Sequence, residues 1–444
     1  MTSPILNTTA RSLVEGAYRA TGITPARQAV KPYEVQRGLD VLNLIIKHWQ
    51  AQGIHLWSKT EAIIPLNVGQ RLYKLGPDGD EIAEEQSFFF TNTEADQLTG
   101  DTLISVFDVS GMTVPSSILS FSPTDSTQDW TAINSATLGS DGTRLTITNG
   151  AAIAGGAEYT LATTIGQEYI IQFDYEVGTS SSATFSAVSG TTLDSITLSA
   201  NTTGELRFTA NSDSVVFRAE NVSTIDGQDT VILNLLYFDI ATGSRIGIQL
   251  DSDIRTWSHV ISTDNTVDPP TVRISEGLPS DSANESIVYT YDIPIDRPLR
   301  ILQTRYADFI TGSEIPTEQW SREEYFDQPD KDTSGTVVQW YYSPQLNNGE
   351  LYVWQVASSV NNVLRFTYTR PLDISTDLID DADIPAEWAN PLKWNLAKEL
   401  AIERKIPDGR YVRIAEKAAE TLDLALDYDT EQSYIVFQPD YSGQ

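Results

Sequence analysis

"YKLGPDGDE", Tyr73 to Glu81, is where this chain changes character. Before it the sequence is helical in pattern and slightly basic; after it, from Phe88 to Arg297, it is β-rich and acidic. Residues 1–60 carry seven Lys/Arg against three Asp/Glu, whereas Phe88 to Arg297 carries seven Arg, no Lys and 27 Asp/Glu. The fold turns on whether this seam joins two neighbours or marks one unit interrupting another.

The flanks argue for interruption. "NTTARSLVEGAYRATG" reads as a helix capped by Asn7 or Thr8, with Ala10, Leu13, Val14 and Ala17 on one stripe and Gly22 as its stop. A second helix opens with Pro32 in its first turn, repeats Val35, Leu39, Leu42, Ile46 and Trp49 at spacings of four and three, and ends at Gly53. "EAIIPLNVGQRLYKLG" then reads as two short strands with a turn at Asn67 to Gln70. Helical texture returns only at Pro385, with Trp388, Leu392, Leu396 and Leu400 on one stripe. After a break at Ile406 to Gly409 comes a last helix bearing Val412, Ala415, Ala419, Leu422 and Leu426. Neither pair of helices makes a good core alone, but four apolar stripes together could bundle.

Between the flanks the helical period vanishes. "DTLISVFDVSG", "EYIIQFDYEVG", "SVVFRAENV" and "DTVILNLLYFDI" are β-rich runs separated by Gly, Asn, Asp and Ser, the pattern of a sandwich. Two nested pieces are expected. "TGDTLISVFDVSGMTV" ends at a turn that "TGSRIGIQLDSDI" continues, so these read as halves of one small β-domain, and residues 115–239 between them form a second sandwich.

The whole is expected to be an α+β multidomain chain: a helical bundle core with β-hairpins, residues 1–87 and 298–430; a small inserted β-domain, 88–114 and 240–297; a nested jelly-roll β-sandwich, 115–239; and a tail, 431–444. A length of 444 residues with 40% hydrophobic and 20% charged residues suits two or three domains. A net charge of −32 argues against a general nucleic-acid coat, and the absence of cysteine excludes disulfides and thiolate chemistry. No run approaches the roughly 20 apolar residues of a membrane helix, and the N-terminus lacks a signal pattern, so cytosolic synthesis without membrane insertion is expected.

In order along the chain, "ARSLVEGAYRATG", "GLDVLNLIIKHWQAQGIHLW", "GQRLYKLGPDGD", "RPLRILQTRYAD", "SREEYFDQPDKDTSGTVVQWYYSPQLNNGELYVWQVAS", "LRFTYTRPLD" and "DIPAEWANPLKWNLAKELAIERKI" resemble the head-to-tail adaptor proteins of short-tailed bacteriophages. That family contains the packaged-DNA-stabilisation protein of P22-like phages, and the likeness covers residues 7–87 and 293–430. It implies a structural virion protein, made in the host cytoplasm and placed in the neck as a ring, usually of twelve copies. Its implied partners are the portal protein, the tail nozzle protein, further copies of itself, and genomic DNA passing without sequence-specific contact. The tail, with Tyr434, Ile435, Val436, Phe437 and Tyr441, is implied to dock on the portal. An acidic channel wall would repel phosphate and keep passage smooth. The middle resembles jelly-roll carbohydrate-binding modules through its early Trp, its "FDYEVG" strand and its closing "LLYF" strand. That likeness implies a glycan ligand and makes Trp130 the candidate for stacking on a sugar ring; a core position is the competing reading.

Other chemistry is sparse. "VQWYYSPQLNNGELYVWQV" reads as a hairpin turning at Asn347 to Gly349, and its Trp340, Tyr341, Tyr352 and Trp354 are candidate subunit contacts. His48, His55 and His259 make no zinc site unless helix and sandwich meet. Asp226 with Asp229, or Asp251 with Asp253, offer hard oxygen ligands for a structural calcium, although turn aspartates also serve as backbone acceptors. Glu323 and Glu324 are adjacent and therefore point apart, a poor acid/base pair. No catalytic residue, metal site or further cofactor is expected. Three functions are weighed: a non-enzymatic adaptor, an adhesin binding host or environmental glycans through the sandwich, and a polysaccharide-degrading enzyme.

Overall fold

The computed structural model describes residues 9–22, 28–53, 58–121, 130–140, 144–150, 153–308, 312–373 and 383–428, with backbone only at 117–121, 234 and 428. Helix α1, Ala10–Thr21, is capped by Thr9, whose hydroxyl accepts from Ser12 N at 3.3 Å; the expected caps Asn7 and Thr8 lie outside the described residues. It ends at Gly22, left-handed at φ 68°. Helix α2, Pro32–Gln52, begins with Pro32 in its first turn and ends at Gly53, also left-handed. A 3-10 turn, Ala386–Trp388, leads into what becomes α4 once the short α3, Arg322–Asp327, is counted: α4 spans Ala389–Glu403 and α5 spans Asp408–Tyr428.

The four long helices share one apolar cluster that includes Val14, Tyr18, Leu39, Leu42, Trp49, Trp388, Leu392, Leu396, Leu400 and Ile414. Trp49 meets Trp388 edge-on at 5.5 Å, and each such buried side chain contributes about 1.5–3 kcal/mol. Two ion pairs tie α2 to the end of α4: Arg37 with Glu403 at 2.8 Å and Arg404 with Glu34 at 3.0 Å. The buried face of α5 is Ile414, Ala418, Thr421 and Ala425, and Val412 faces solvent. The expected stripe on Val412, Ala415 and Ala419 is therefore out of phase, because an alanine-rich helix offers two faces of similar hydrophobicity.

The expected helical-bundle core is corrected by what lies beside it. The described chain is 41% strand and 22% helix, and its body is β-sheet. One eight-stranded sheet runs Leu72–Leu75, Gly349–Trp354, Gln339–Ser343, Ser313–Gln319, Arg300–Asp308, Asn362–Thr369, Lys59–Pro65 and Ala83–Glu84. The strands read as a local pair around Asn67 stand far apart in it. Lys59–Pro65 pairs with Asn362–Thr369 and Leu72–Leu75 with Gly349–Trp354, both antiparallel. Segments that read as isolated hairpins are thus joined by pairings about three hundred residues apart, which local periodicity does not encode.

A six-stranded antiparallel sheet is assembled from both sides of the nested segment. Its order is Phe89–Asn92, Ile287–Tyr291, Arg245–Gln249, Arg255–Asp264, Thr271–Ile274 and Leu103–Ser105. Arg255 fastens this sheet to the larger one. Its guanidinium lies 4.5 Å from the Tyr289 ring centroid and donates to the carbonyls of Leu66 and Val360. Burial pushes its pKa down to about 10. Nearby, Glu81 receives Arg245 Nε at 2.9 Å and the Tyr291 hydroxyl.

The nested segment forms two sheets packed face to face. One runs Thr191–Leu198, Ala183–Ser189, Ser214–Asn221, Gly156–Ala162 and Trp130–Ile133. The other runs Thr202–Thr209, Glu168–Glu176, Asp229–Asp239, Leu145–Thr148 and Thr137–Ser140, with Ser117–Phe121 also pairing to Asp229–Asp239. Phe173, Phe185, Phe217, Tyr169 and Tyr237 fill the space between.

Candidate functional site

The second sandwich sheet presents an ordered polar face. Along Glu168–Glu176, Tyr169, Ile171, Phe173 and Tyr175 turn into the sandwich core, so Ile170, Gln172 and Asp174 turn outward. The register sets three rows across the strands. Asp174 stands opposite Thr203, Gln172 lies between Glu205 and Leu236, and Ile170 lies between Arg207 and Phe238. Within the rows, Thr203 Oγ1 donates to Asp174 Oδ1 at 2.8 Å and Gln172 Nε2 to Glu205 Oε2 at 3.1 Å.

One end of this face is covered. Ile170 is only 1% exposed although it faces away from the sandwich core. Arg207 donates to Ser275 O, and Arg273 pairs with Glu205 at 2.8 Å, so the six-stranded sheet lies over that end. Arg207 also bonds Glu168 at 2.6 Å, a contact that raises its pKa. The other end is open, and Gln172, Phe173, Asp174, Thr203 and Leu236 line a shallow cleft of about 130 Å³ there. Its chemistry is that of a neutral polar ligand: an acceptor at Asp174, a hydroxyl at Thr203, an amide at Gln172 and an aliphatic side chain at Leu236.

The residues singled out from sequence fall elsewhere. Trp130 is 5% exposed and meets Tyr159 at 5.3 Å and Phe217 at 6.0 Å, both edge-on, so its ring is packed in the sandwich core and has no face for a sugar. Trp340, at 1%, is core of the eight-stranded sheet and is corrected from a subunit contact. Tyr341 and Tyr352 are half-buried and stack on each other at 5.8 Å beside Tyr325 and Phe326. Trp354, also half-buried, stacks on Trp320 at 5.5 Å and donates Nε1 to Asp330 O at 2.9 Å. Tyr434, Ile435, Val436, Phe437 and Tyr441 lie outside the described residues, as does His55.

Asp229, Asp251 and Asp253 are engaged by neighbouring protein groups. Asp229 Oδ1 accepts from Thr179 Oγ1 at 2.6 Å and Thr179 N at 2.8 Å, which holds its carboxyl below the usual range. Asp251 accepts from Ala283 N at 2.7 Å, and Asp253 sits at φ 56° in a turn. Glu324 closes a capping box with Ser321 at the start of α3. His48 contacts Gln52 at 3.1 Å on α2, whereas burial and the neighbouring Arg245 push His259 down to about 4. Among the described residues no group of three or more His, Asp or Glu is placed to hold a metal ion.

One titrating pair has no signature in the sequence. Glu61, on the eight-stranded sheet, and Glu85, in the 3-10 turn Glu85–Ser87 that follows its edge strand, share a hydrogen bond amid Arg305, Arg365 and Glu314; Arg365 lies 3.4 Å from Glu85 and 2.7 Å from Glu314. The shared proton, with burial, raises Glu85 to about 7, while Glu61 is lowered.

No family model matches this chain, and no curated protein matches it. Solved structures do. A CBM4 structure is 12% identical, covering 27% of this chain and 88% of its own, with a TM-score of 0.21. The CBM22-1 xylan-binding domain of Paenibacillus barcinonensis Xyn10C is 16% identical over 29% of this chain and 96% of its own, with a TM-score of 0.24. The enzymatically active domain of tailspike protein 4 from bacteriophage CBA120 is 17% identical over 26% of this chain and 20% of that one, with a TM-score of 0.21. The expectation of a virion head-to-tail adaptor, a portal-binding ring of twelve built on a helical core, is corrected: the described chain is dominated by β-sheet. What stands is a β-sandwich, built from the two packed sheets of the nested segment.

Proposed function

We propose that this chain is a non-enzymatic binding protein whose nested sandwich takes a glycan on the open end of its outer sheet face. The observation that carries the reading is the row structure of Asp174–Thr203 and Gln172–Leu236. It sets carboxylate and amide groups around an aliphatic floor in one cleft. Sugar hydroxyls pair with such acceptors and donors, and the C–H face of the ring lies on the apolar floor. Among the described residues of the sandwich every Trp, Tyr and Phe is buried or half-buried, so recognition rests on hydrogen bonds and affinity is modest. The helices and larger sheet are then the body that carries the sandwich. A glycan array probed with the full chain tests the reading: binding to a defined set of glycans that is abolished by Asp174→Ala with Gln172→Ala supports it, and no binding refutes it.

A second reading, assembly of several copies through the helices, is favoured by one observation. Leu44 (69% exposed) and Ile402 (53%) line an apolar groove of about 400 Å³ between α2 and α4 with Val41 and Ile45. Sedimentation of the full chain beside Leu44→Glu tests it: an oligomer dissolved by the substitution supports assembly, and a monomer in both refutes it.

A further inference from the structure

The helices form a basic groove. Ala20 of α1, Trp394 of α4 and Gly409, Arg410, Arg413 and Ile414 of α5 enclose about 420 Å³. The Arg410 guanidinium lies against Gly22, so close that a Cβ there would meet it at 1.9 Å, which places a cation at the C-terminal end of α1 where carbonyls concentrate negative potential. Lys393 runs its stem past Gly16 and holds its ammonium 5.4 Å from the Trp394 ring centroid. Other arginines of these helices and their surroundings are paired, Arg37 with Glu403, Arg404 with Glu34 and Arg370 with Asp383. Among the described residues the side chains of Arg410, Arg413 and Lys393 have neither an ion pair nor a hydrogen bond. In a chain of net charge −32, three uncompensated cations around a half-buried Trp call for an anionic, partly aromatic occupant.

The chain itself contains a segment of that chemistry directly after α5. Residues 429–444, "DTEQSYIVFQPDYSGQ", carry Asp429, Glu431 and Asp440, no Lys or Arg, and the aromatics Tyr434, Phe437 and Tyr441. The reach also fits. Helix α5 ends at Tyr428, which by helical rise stands roughly 22 Å beyond Arg413. The stretch from Tyr428 to Tyr434 spans at most roughly 20 Å, so its length suffices for a return to the groove.

We infer that the groove between α1, α4 and α5 is the seat of residues 429–444 of the same chain, held by Arg410, Arg413 and Lys393 and by stacking on Trp394. The seat stands apart from the sandwich face, and its test is independent of glycan binding.

Because the chain has no cysteine, a single Ser433→Cys in the full-length protein can be labelled with bimane, a fluorophore that tryptophan quenches on contact. The expected result is quenching that is independent of protein concentration. It should be relieved severalfold by Trp394→Phe and by Arg410→Glu with Arg413→Glu, weakened by salt, and kept by Arg413→Lys. Far-UV circular dichroism reports whether each variant retains its helices. Equal emission from all variants overturns the inference. Quenching that grows with protein concentration overturns it too, since the seat then accepts a second copy.

Discussion

Thr113 and Ser244 hold each other across 131 positions: Ser244 N donates to Thr113 O at 2.8 Å, and Thr113 N donates to Ser244 Oγ at 2.6 Å. Pro115 packs on Gly243 at the same place, where a Cβ would meet its ring at 2.9 Å. The two ends of the nested segment therefore leave the six-stranded sheet side by side, and a folded insert with close ends adds little loop-closure cost to its host. Joining Val114 directly to Gly243 should leave the remaining chain folded, with one cooperative thermal transition by circular dichroism. A product without a transition would mean that the host needs the insert.

Arg255 is the next test of how the sheets are joined. Arg255→Met keeps the apolar stem over Tyr289 but strands the carbonyls of Leu66 and Val360. The expected loss is about 2–4 kcal/mol in urea unfolding, read as a lower midpoint at unchanged slope. A change within error would show that the guanidinium contributes nothing net to the junction.

Glu85 makes stability depend on pH in a defined direction. Its folded value of about 7 lies above the ordinary carboxylate value of roughly 4.3, so between these limits the folded chain keeps a proton that the unfolded chain has released. The stabilisation is full below that window and is lost as pH rises through 7. Glu61, held low, works oppositely, and its share is lost only in acid. In Glu85→Gln the decline between pH 5 and pH 7.5 should shrink by about 1 kcal/mol, discounted for a partly exposed group. Thermal melts of both proteins across that range measure it, and parallel curves would contradict the shared proton.

Trp130 separates core from ligand contact. Trp130→Ala should cost about 3–5 kcal/mol by opening a cavity beside Tyr159 and Phe217, whereas Trp130→Phe should leave any glycan binding intact. Loss of binding in a folded Trp130→Phe chain would return Trp130 to the ligand.

Much of the local structure was legible because its determinants are local. Pro32, Gly22 and Gly53 punctuate the helices through backbone sterics, and Asn347 to Gly349 turn the hairpin between Gln339–Ser343 and Gly349–Trp354. The architecture was less so. No period in "EAIIPL" tells that it pairs with "NVLRFTYT" rather than with the strand that follows it. The alternation in "EYIIQFDYE" does encode that Gln172 and Asp174 face outward, yet the search for an exposed aromatic led to Trp130, whose large apolar ring is worth more in the core. Glu205 and Leu236 join Gln172 only through register, and Glu61 joins Glu85 only through tertiary packing.

Glycan binding by the sandwich face is tested most directly by the migration of the full chain through native gels containing soluble polysaccharides, beside the chain carrying Asp174→Ala and Gln172→Ala. Retardation by at least one polysaccharide, and its loss in the variant, is the expected result. Unretarded migration in every gel, or retardation that the two substitutions leave unchanged, would contradict it.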